Sequence, residues 1–259
     1  MTRIVTWNVN SVKARLEAVT AWLSGHRPDV LLLQELKCQE EGFPFEAFED
    51  LGYNCAVWGQ KAYNGVAILS KYPLEDIRRG LPGLDDAAAR YIEAFTGNAR
   101  VASIYVPNGQ AVGAEAYAYK QKFMAALTAH AQHLLGYDEA LVLGGDYNIA
   151  PFAPDVHDPM LLEKNRILCS LEERKWLRTL MNVGLSDALR LMHPHDTHGP
   201  FTWWDYRAGS FPANKGMRID HLLLSPQATQ RLQAAGVDLA PRQAPKASDH
   251  APVWVELKD

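Results

Sequence analysis

Apolar residues recur along this chain in two rhythms. Short alternating or β-branched runs at Ile4 to Val9, Val30 to Leu33, Val66 to Leu69, Val101 to Val106, Leu141 to Leu143, Ile219 to Leu224 and Val253 to Leu257 predict strands. Between the first two, Val12, Leu16, Val19, Trp22 and Leu23 fall at helical steps, with Ser11 as the N-cap and Gly25 as the stop. Further helices are predicted over 113–135 and 172–181, the second with Arg and Lys gathered on one side. One helical crossover near the start, followed by direct strand connections from Tyr53 to Phe95, argues against a purely parallel doubly wound sheet. The expectation is an α/β (α+β) architecture of packed sheets covered by helices. No repeat or composition shift marks a boundary, so residues 1–259 are read as one domain. The Pro-rich stretches 151–159 and 194–212 read as surface loops.

Composition narrows the class without naming a chemistry. Hydrophobic residues make up 47% and charged residues 22%, which excludes a disordered or fibrous chain. With 26 Lys and Arg against 30 Asp and Glu, any site for a polyanion has to be a local patch. Cys38, Cys55 and Cys169 are odd in number and lack metal spacing, which fits a reduced compartment. The chain runs from Met1 straight into a strand pattern with no signal region and no membrane span, so a cytoplasmic monomer is expected.

The candidate chemistry lies where strands end. Asn8 closes the first strand and Glu35 follows the second, and adjacent parallel strands deliver their ends to one place. Asn8 alone reads first as a turn former, and Glu35 alone reads equally as an ordinary strand-exit acid. Leu141-Val142-Leu143 runs into Gly144-Gly145-Asp146-Tyr147-Asn148, where glycine permits close approach of a ligand and Asp146 is a candidate general base. Tyr105 precedes Pro107-Asn108-Gly109 and reads first as a packing residue. Asp220 and His221 face opposite sides of a strand, as do the extended neighbours Asp249 and His250. The carboxylate that orients His250 is therefore sought in Asp220, which would raise the imidazole pKa.

Taken in order, these strings resemble the exonuclease III family of bacterial DNA repair nucleases, within the endonuclease/exonuclease/phosphatase superfamily. They are Trp7-Asn8-Val9-Asn10, Leu33-Gln34-Glu35, Tyr105-Val106-Pro107-Asn108-Gly109, Gly145-Asp146-Tyr147-Asn148, Phe201 to Arg207, Arg218-Ile219-Asp220 and Ser248-Asp249-His250. The resemblance implies a four-layer sandwich of two mixed sheets between helices, and a magnesium-dependent hydrolase for which manganese can substitute. It makes Glu35 the principal metal ligand, with Asn8, Asp146, Asn148 and Asp249 around it. Asp146 would handle the attacking water, Asn148 and His250 would bind the phosphate, Tyr105 would stabilise developing charge, and Asp220 would hold His250. Trp203, Met217 and Ile219 match the family's apolar slot for a sugar without its base, although all three read equally as core. The implied partner is double-stranded DNA with abasic sites or blocked 3′ ends, and Arg90, Lys120, Lys122, Arg207 and Lys215 are candidate phosphate contacts.

His157 departs from that pattern, an imidazole standing where some relatives have a small residue. Its bulk at the sugar wall would penalise abasic-site incision more than exonuclease action or 3′-end cleaning. A non-DNA phosphoesterase of the same superfamily is the nearest alternative. A two-carboxylate glycosidase would not call for the Asp-x-Asn and Asp-His pieces, and a silent damage-binding module is expected to lack a site residue. The run His193-Pro194-His195-Asp196-Thr197-His198 lacks helical metal spacing and reads as a solvated loop.

Overall fold

The computed structural model describes residues 1–259. Its strands are β1 (Thr2–Asn8), β2 (Val30–Gln34), β3 (Asn54–Trp58), β4 (Val66–Ser70), β5 (Glu75–Arg79), β6 (Tyr91–Thr96), β7 (Ala99–Tyr105), β8 (Leu141–Asp146), β9 (Ser186–Asp187), β10 (Asp220–Leu224), β11 (Leu232–Val237) and β12 (Val253–Leu257). Helices are α1 (Leu16–His26), α2 (Phe45–Glu49), α3 (Glu115–Leu135), α4 (Met160–Glu163), α5 (Leu171–Asn182), α6 (Ala188–Met192), α7 (Pro226–Arg231) and α8 (Ala240–Gln243). The strands form two six-stranded sheets, ordered β11-β12-β1-β2-β4-β3 and β5-β6-β7-β8-β10-β9. Only β1 with β2 and β7 with β8 run parallel; every other pair is antiparallel, so both sheets are mixed.

Strand alternation sorts the apolar residues into layers. Ile4, Leu32, Val101, Val142 and Leu222 point between the sheets into a core of 21 buried residues. Their neighbours turn outward. Val5, Leu31 and Leu33 pack with Val19, Trp22 and Leu23 of α1, while Leu141, Leu143 and Leu223 pack with Phe123, Leu127 and Leu177 of α3 and α5. Helix, sheet, sheet, helix is therefore the order of layers, the four-layer arrangement expected above. No helix is long and apolar enough to cross a membrane.

Two expectations for α1 fail. The helix starts at Leu16, with Arg15 at the cap position making no side-chain capping bond, while Ser11 Oγ accepts from Ala14 N in a separate preceding turn. Gly25 lies inside the helix, which ends where Arg27 turns left-handed before Pro28. The pair at Gly144 and Gly145 has a steric reason. A Cβ on Gly144 would lie 2.6 Å from Leu32 and 2.7 Å from Leu222, and one on Gly145 would lie 2.0 Å from the Ile104 carbonyl oxygen. Bare backbone at the end of β8 lets Leu32 of the facing sheet approach at Gly144 and lets β7 lie close at Gly145.

Candidate active site

The period of two that builds the core also builds the site. Continuing the inward-facing positions to the strand ends gives Asn8 on β1, Tyr105 on β7, Asp146 on β8 and Asp220 on β10, all at one end of the sheet pair. Register brings them level: Tyr105 and Asp220 are both partners of Asp146, and Asn8 is the partner of Gln34, one residue before Glu35. Glu35 has φ +54° and Asn148 has φ +51°, so the chain turns left-handed as it leaves β2 and β8. Beneath them, Gln34 Nε2 donates to Ser103 Oγ at 2.9 Å and to Thr6 Oγ1 at 3.0 Å, joining the sheets by a buried polar lattice.

Glu35, Asp146 and His250 offer ligand atoms that all lie within 4.8 Å of one another. Asn8 Nδ2 donates to Glu35 Oε1 at 2.9 Å and to Asp146 Oδ2 at 3.0 Å. Lys37 Nζ lies 2.9 Å from Glu35 Oε2 and also reaches Asn10 Oδ1. Asp249 stands outside that cluster: Asn10 Nδ2 and Trp203 Nε1 donate to its two oxygens at 2.9 and 3.0 Å. Asn148 lies on the Asp146 side, its backbone N–H donating to Asp146 Oδ1 at 2.8 Å. Asp220 and His250 are joined directly, with Nδ1 3.1 and 2.9 Å from the two carboxylate oxygens. Thr202 Oγ1 donates to Asp220 Oδ2 at 2.6 Å and fixes that carboxylate from behind.

The electrostatics follow from burial and crowding. Burial pushes Asp146 up to about 7, His250 opposes this, and Asp220 and Glu35 add to it. Burial alone would lower His250, but Asp220 and Asp146 outweigh it and raise the imidazole to about 10. Burial and then the charges of Glu35 and Asp146 hold the Tyr105 hydroxyl well above its ordinary value, so it remains a proton donor at neutral pH. Burial works against the Asp249 carboxyl, yet His250, Trp203 and Asn10 hold it below the usual range. A centre with four acids facing one imidazole and one lysine suits a divalent cation, and its oxygen donors suit a hard one.

The remaining candidates divide. Met217 and Ile219 are buried in a small cluster with Val156, Ala150, Leu168 and Cys169, and half-buried Trp203 packs against it. His157 is half-buried beside this cluster, its backbone N–H donating to Gly216 O at 3.0 Å and its Nδ1 3.2 Å from the same oxygen. Arg90 lies over the Tyr105 ring at 4.7 Å and donates to the Tyr105 carbonyl at 3.2 Å. Lys122, Arg207 and Lys215 are exposed. Lys120 is a correction: it is fully buried in α3 and ion-paired with Glu173, so it is no surface contact for a phosphate. A lysine is taken for surface by its charge alone, and the buried acid that pairs with it lies far along the chain. Asn10, Lys37, Asn108 and Thr202 join the site beyond the residues expected there. Their only sequence signal is that Asn10, Asn108 and Thr202 lie within the family-like segments around Asn8, Tyr105 and Trp203.

Convergent oxygen donors in a desolvated cluster, opening at one end of a sheet pair, define a metal-assisted phosphoesterase. The chain belongs to the Endonuclease/Exonuclease/phosphatase family, whose profile matches residues 5–250, and within it to the exonuclease III group. It is similar to exodeoxyribonuclease III of Haemophilus influenzae, 36% identical over 99% of this chain and 100% of that one. Among solved structures it is similar to the Neisseria 3′ phosphatase NExo, bound to a product DNA hairpin, with TM-score 0.96, 42% identity and full coverage of both chains. An AP endonuclease from Archaeoglobus fulgidus matches with TM-score 0.95 and 34% identity, again over both full chains.

Proposed function

We propose that this phosphoesterase is a magnesium-dependent DNA repair enzyme on double-stranded DNA, removing 3′ phosphates and nucleotides from 3′ ends and cutting at abasic sites. The observation that carries the reading is the Glu35, Asp146 and His250 cluster, with Asn8 bridging the two acids and Asp220 behind the imidazole. The names of the similar proteins support the substrate class: an exodeoxyribonuclease, a 3′ phosphatase solved with a DNA hairpin, and an AP endonuclease. Glu35 and Asp146 would hold the metal, with Asn8 and Asn148 beside them and, at the outer edge, Asp249. Bound there, magnesium supplies charge neutralisation at the phosphoryl oxygens. Asp146, at the end of β8 between Asn8 and His250, would accept the proton of the attacking water. His250, held charged by Asp220, binds the scissile phosphate with Asn148, and Tyr105 donates to the charge that develops on it.

His157 favours the end-processing branch of this reading. Its imidazole stands on the carbonyl of Gly216, the residue before Met217, and Met217 with Trp203 and Ile219 are the residues matched to the slot for a sugar without a base. A flipped abasic sugar needs that space, whereas a terminal 3′ phosphate does not. The test uses an end-labelled duplex with a central abasic analogue beside a nicked duplex with a 3′ phosphate, each with magnesium and with chelator. Phosphate release without abasic incision by the wild type, with incision gained by His157→Gly, supports the end-processing reading. Efficient incision by the wild type removes the role given to His157. Cleavage of neither substrate turns the assignment toward non-DNA phosphoesters.

A further inference from the structure

An ammonium group with no exposed surface is expensive to bury, and a well-packed apolar side chain commonly serves stability as well or better. Lys120 is such a group. It projects from α3 behind the site, and each of its three protons has a partner. One goes to Glu173 Oε1, one to Asn148 O at 2.7 Å, and one to Asn108 O at 3.1 Å. Glu173 is itself fixed: its carboxylate accepts from Ser170 N at 3.0 Å, Ser170 Oγ at 2.6 Å and Leu168 N at 3.2 Å, at the capped start of α5. The lysine is thus anchored on one side and grips two backbone carbonyls on the other.

Those carbonyls belong to the residues that flank the phosphate end of the site. Asn108 Nδ2 donates to Asn148 Oδ1 at 3.2 Å, and Asn148 Nδ2 donates to Val106 O at 3.0 Å and lies 3.3 Å from Asp146 Oδ2. Asn148 also holds a left-handed backbone, φ +51°, which the surroundings must maintain. We propose that Lys120 is a positioning residue for phosphoester cleavage, clamping the Asn108 and Asn148 backbones so that the Asn148 amide is presented to the scissile phosphate. The assignment rests on the phosphate-binding role proposed above for Asn148. Glu173 holds the clamp and does not touch Asn148.

The experiment compares kcat and KM for 3′-phosphate release by Lys120→Met, Glu173→Gln, Asn148→Ala and the Lys120→Met/Asn148→Ala pair, with thermal midpoints for all. Misplacing a reacting group by about 1 Å loses on the order of 100-fold, so Lys120→Met is expected to lose about that in kcat with KM nearly unchanged. Glu173→Gln leaves an amine that still donates to both carbonyls, so it lowers the midpoint while keeping most of kcat. Adding Lys120→Met to Asn148→Ala costs almost nothing further, because the amide being positioned is gone. Should Lys120→Met fail to fold, the uncharged pair Lys120→Met/Glu173→Gln takes its place with the same expectation. Losses that multiply in the Lys120→Met/Asn148→Ala pair, or equal kcat losses in Glu173→Gln and Lys120→Met, overturn the clamp while leaving the role of Asn148 intact. Full activity of Asn148→Ala overturns that role and the clamp with it.

Discussion

Replacing Asp220 by Asn removes the carboxylate that charges His250 while keeping the shape of the site. In the wild type both Asp220 oxygens lie against Nδ1, and the imidazole sits at about 10, charged across the working range. In the variant the largest upward influence is gone and burial still lowers the imidazole, with only Asp146, 3.7 Å from Nε2, and Asp249 left to raise it, so His250 gives up its proton at a lower pH than in the wild type. Each pH unit above the pKa of such a group costs about tenfold in charged form. The expected signature is a kcat/KM for 3′-phosphate release whose alkaline limb moves to lower pH in the variant and approaches a tenfold fall per pH unit, where the wild type shows no such fall from His250 until about pH 10. Any orientational loss lowers the whole curve without changing that slope. A variant profile parallel to the wild-type profile from pH 6 to 9 would falsify the view that Asp220 acts by keeping His250 charged.

Chelation should abolish cleavage, and magnesium should restore it and raise the thermal midpoint, because a cation relieves the crowding of Glu35 and Asp146; a midpoint indifferent to magnesium speaks against this ligand set. Arg218→Met leaves buried Asp187 without a guanidinium and Asp155 with Arg190 alone, so urea titration should register a loss of about 3–5 kcal/mol, and a loss under about 1 kcal/mol contradicts the assigned pairing. Gly25→Ala should gain about 0.5–1 kcal/mol, since the position is helical and nothing stands within 4 Å of the added methyl, and a destabilised variant counts against the helix boundary found here.

The sequence was most legible where side-chain alternation and chain order agree. Asn8, Asp146 and Asp220 stand at inward positions of strands whose apolar residues announce themselves, and the matching of Asp220 to His250 follows from the divergence of extended neighbours. The strands β5 and β11 are silent for physical reasons. Every residue of β5 is exposed, in the charged run Glu75-Asp76-Ile77-Arg78-Arg79, and β11 carries Ala234-Ala235-Gly236, residues with little preference for a strand. Both are sheet edges, where half the backbone partners are missing and burial leaves no pattern. Lys37 belongs to the site through the left-handed backbone at Glu35 and at Lys37 itself, with φ +54° at each, which no local propensity indicates.

The order of strands also sets when this catalyst comes into being during synthesis. Within each sheet most neighbours are close in sequence, but β1 pairs with β12, so the first strand made waits for the last. His250 and Asp249 arrive with that final strand, more than 240 positions after Asn8. A ribosome that has threaded out only the first two hundred residues therefore displays Glu35 and Asp146 with no imidazole between them. Emergence of the C-terminal strand closes the first sheet and completes the site in one long-range step, the kind that sets a slow folding rate. Nucleolytic competence is in this sense a checkpoint on synthesis through β12: a chain stopped before His250 is a fragment without a blade.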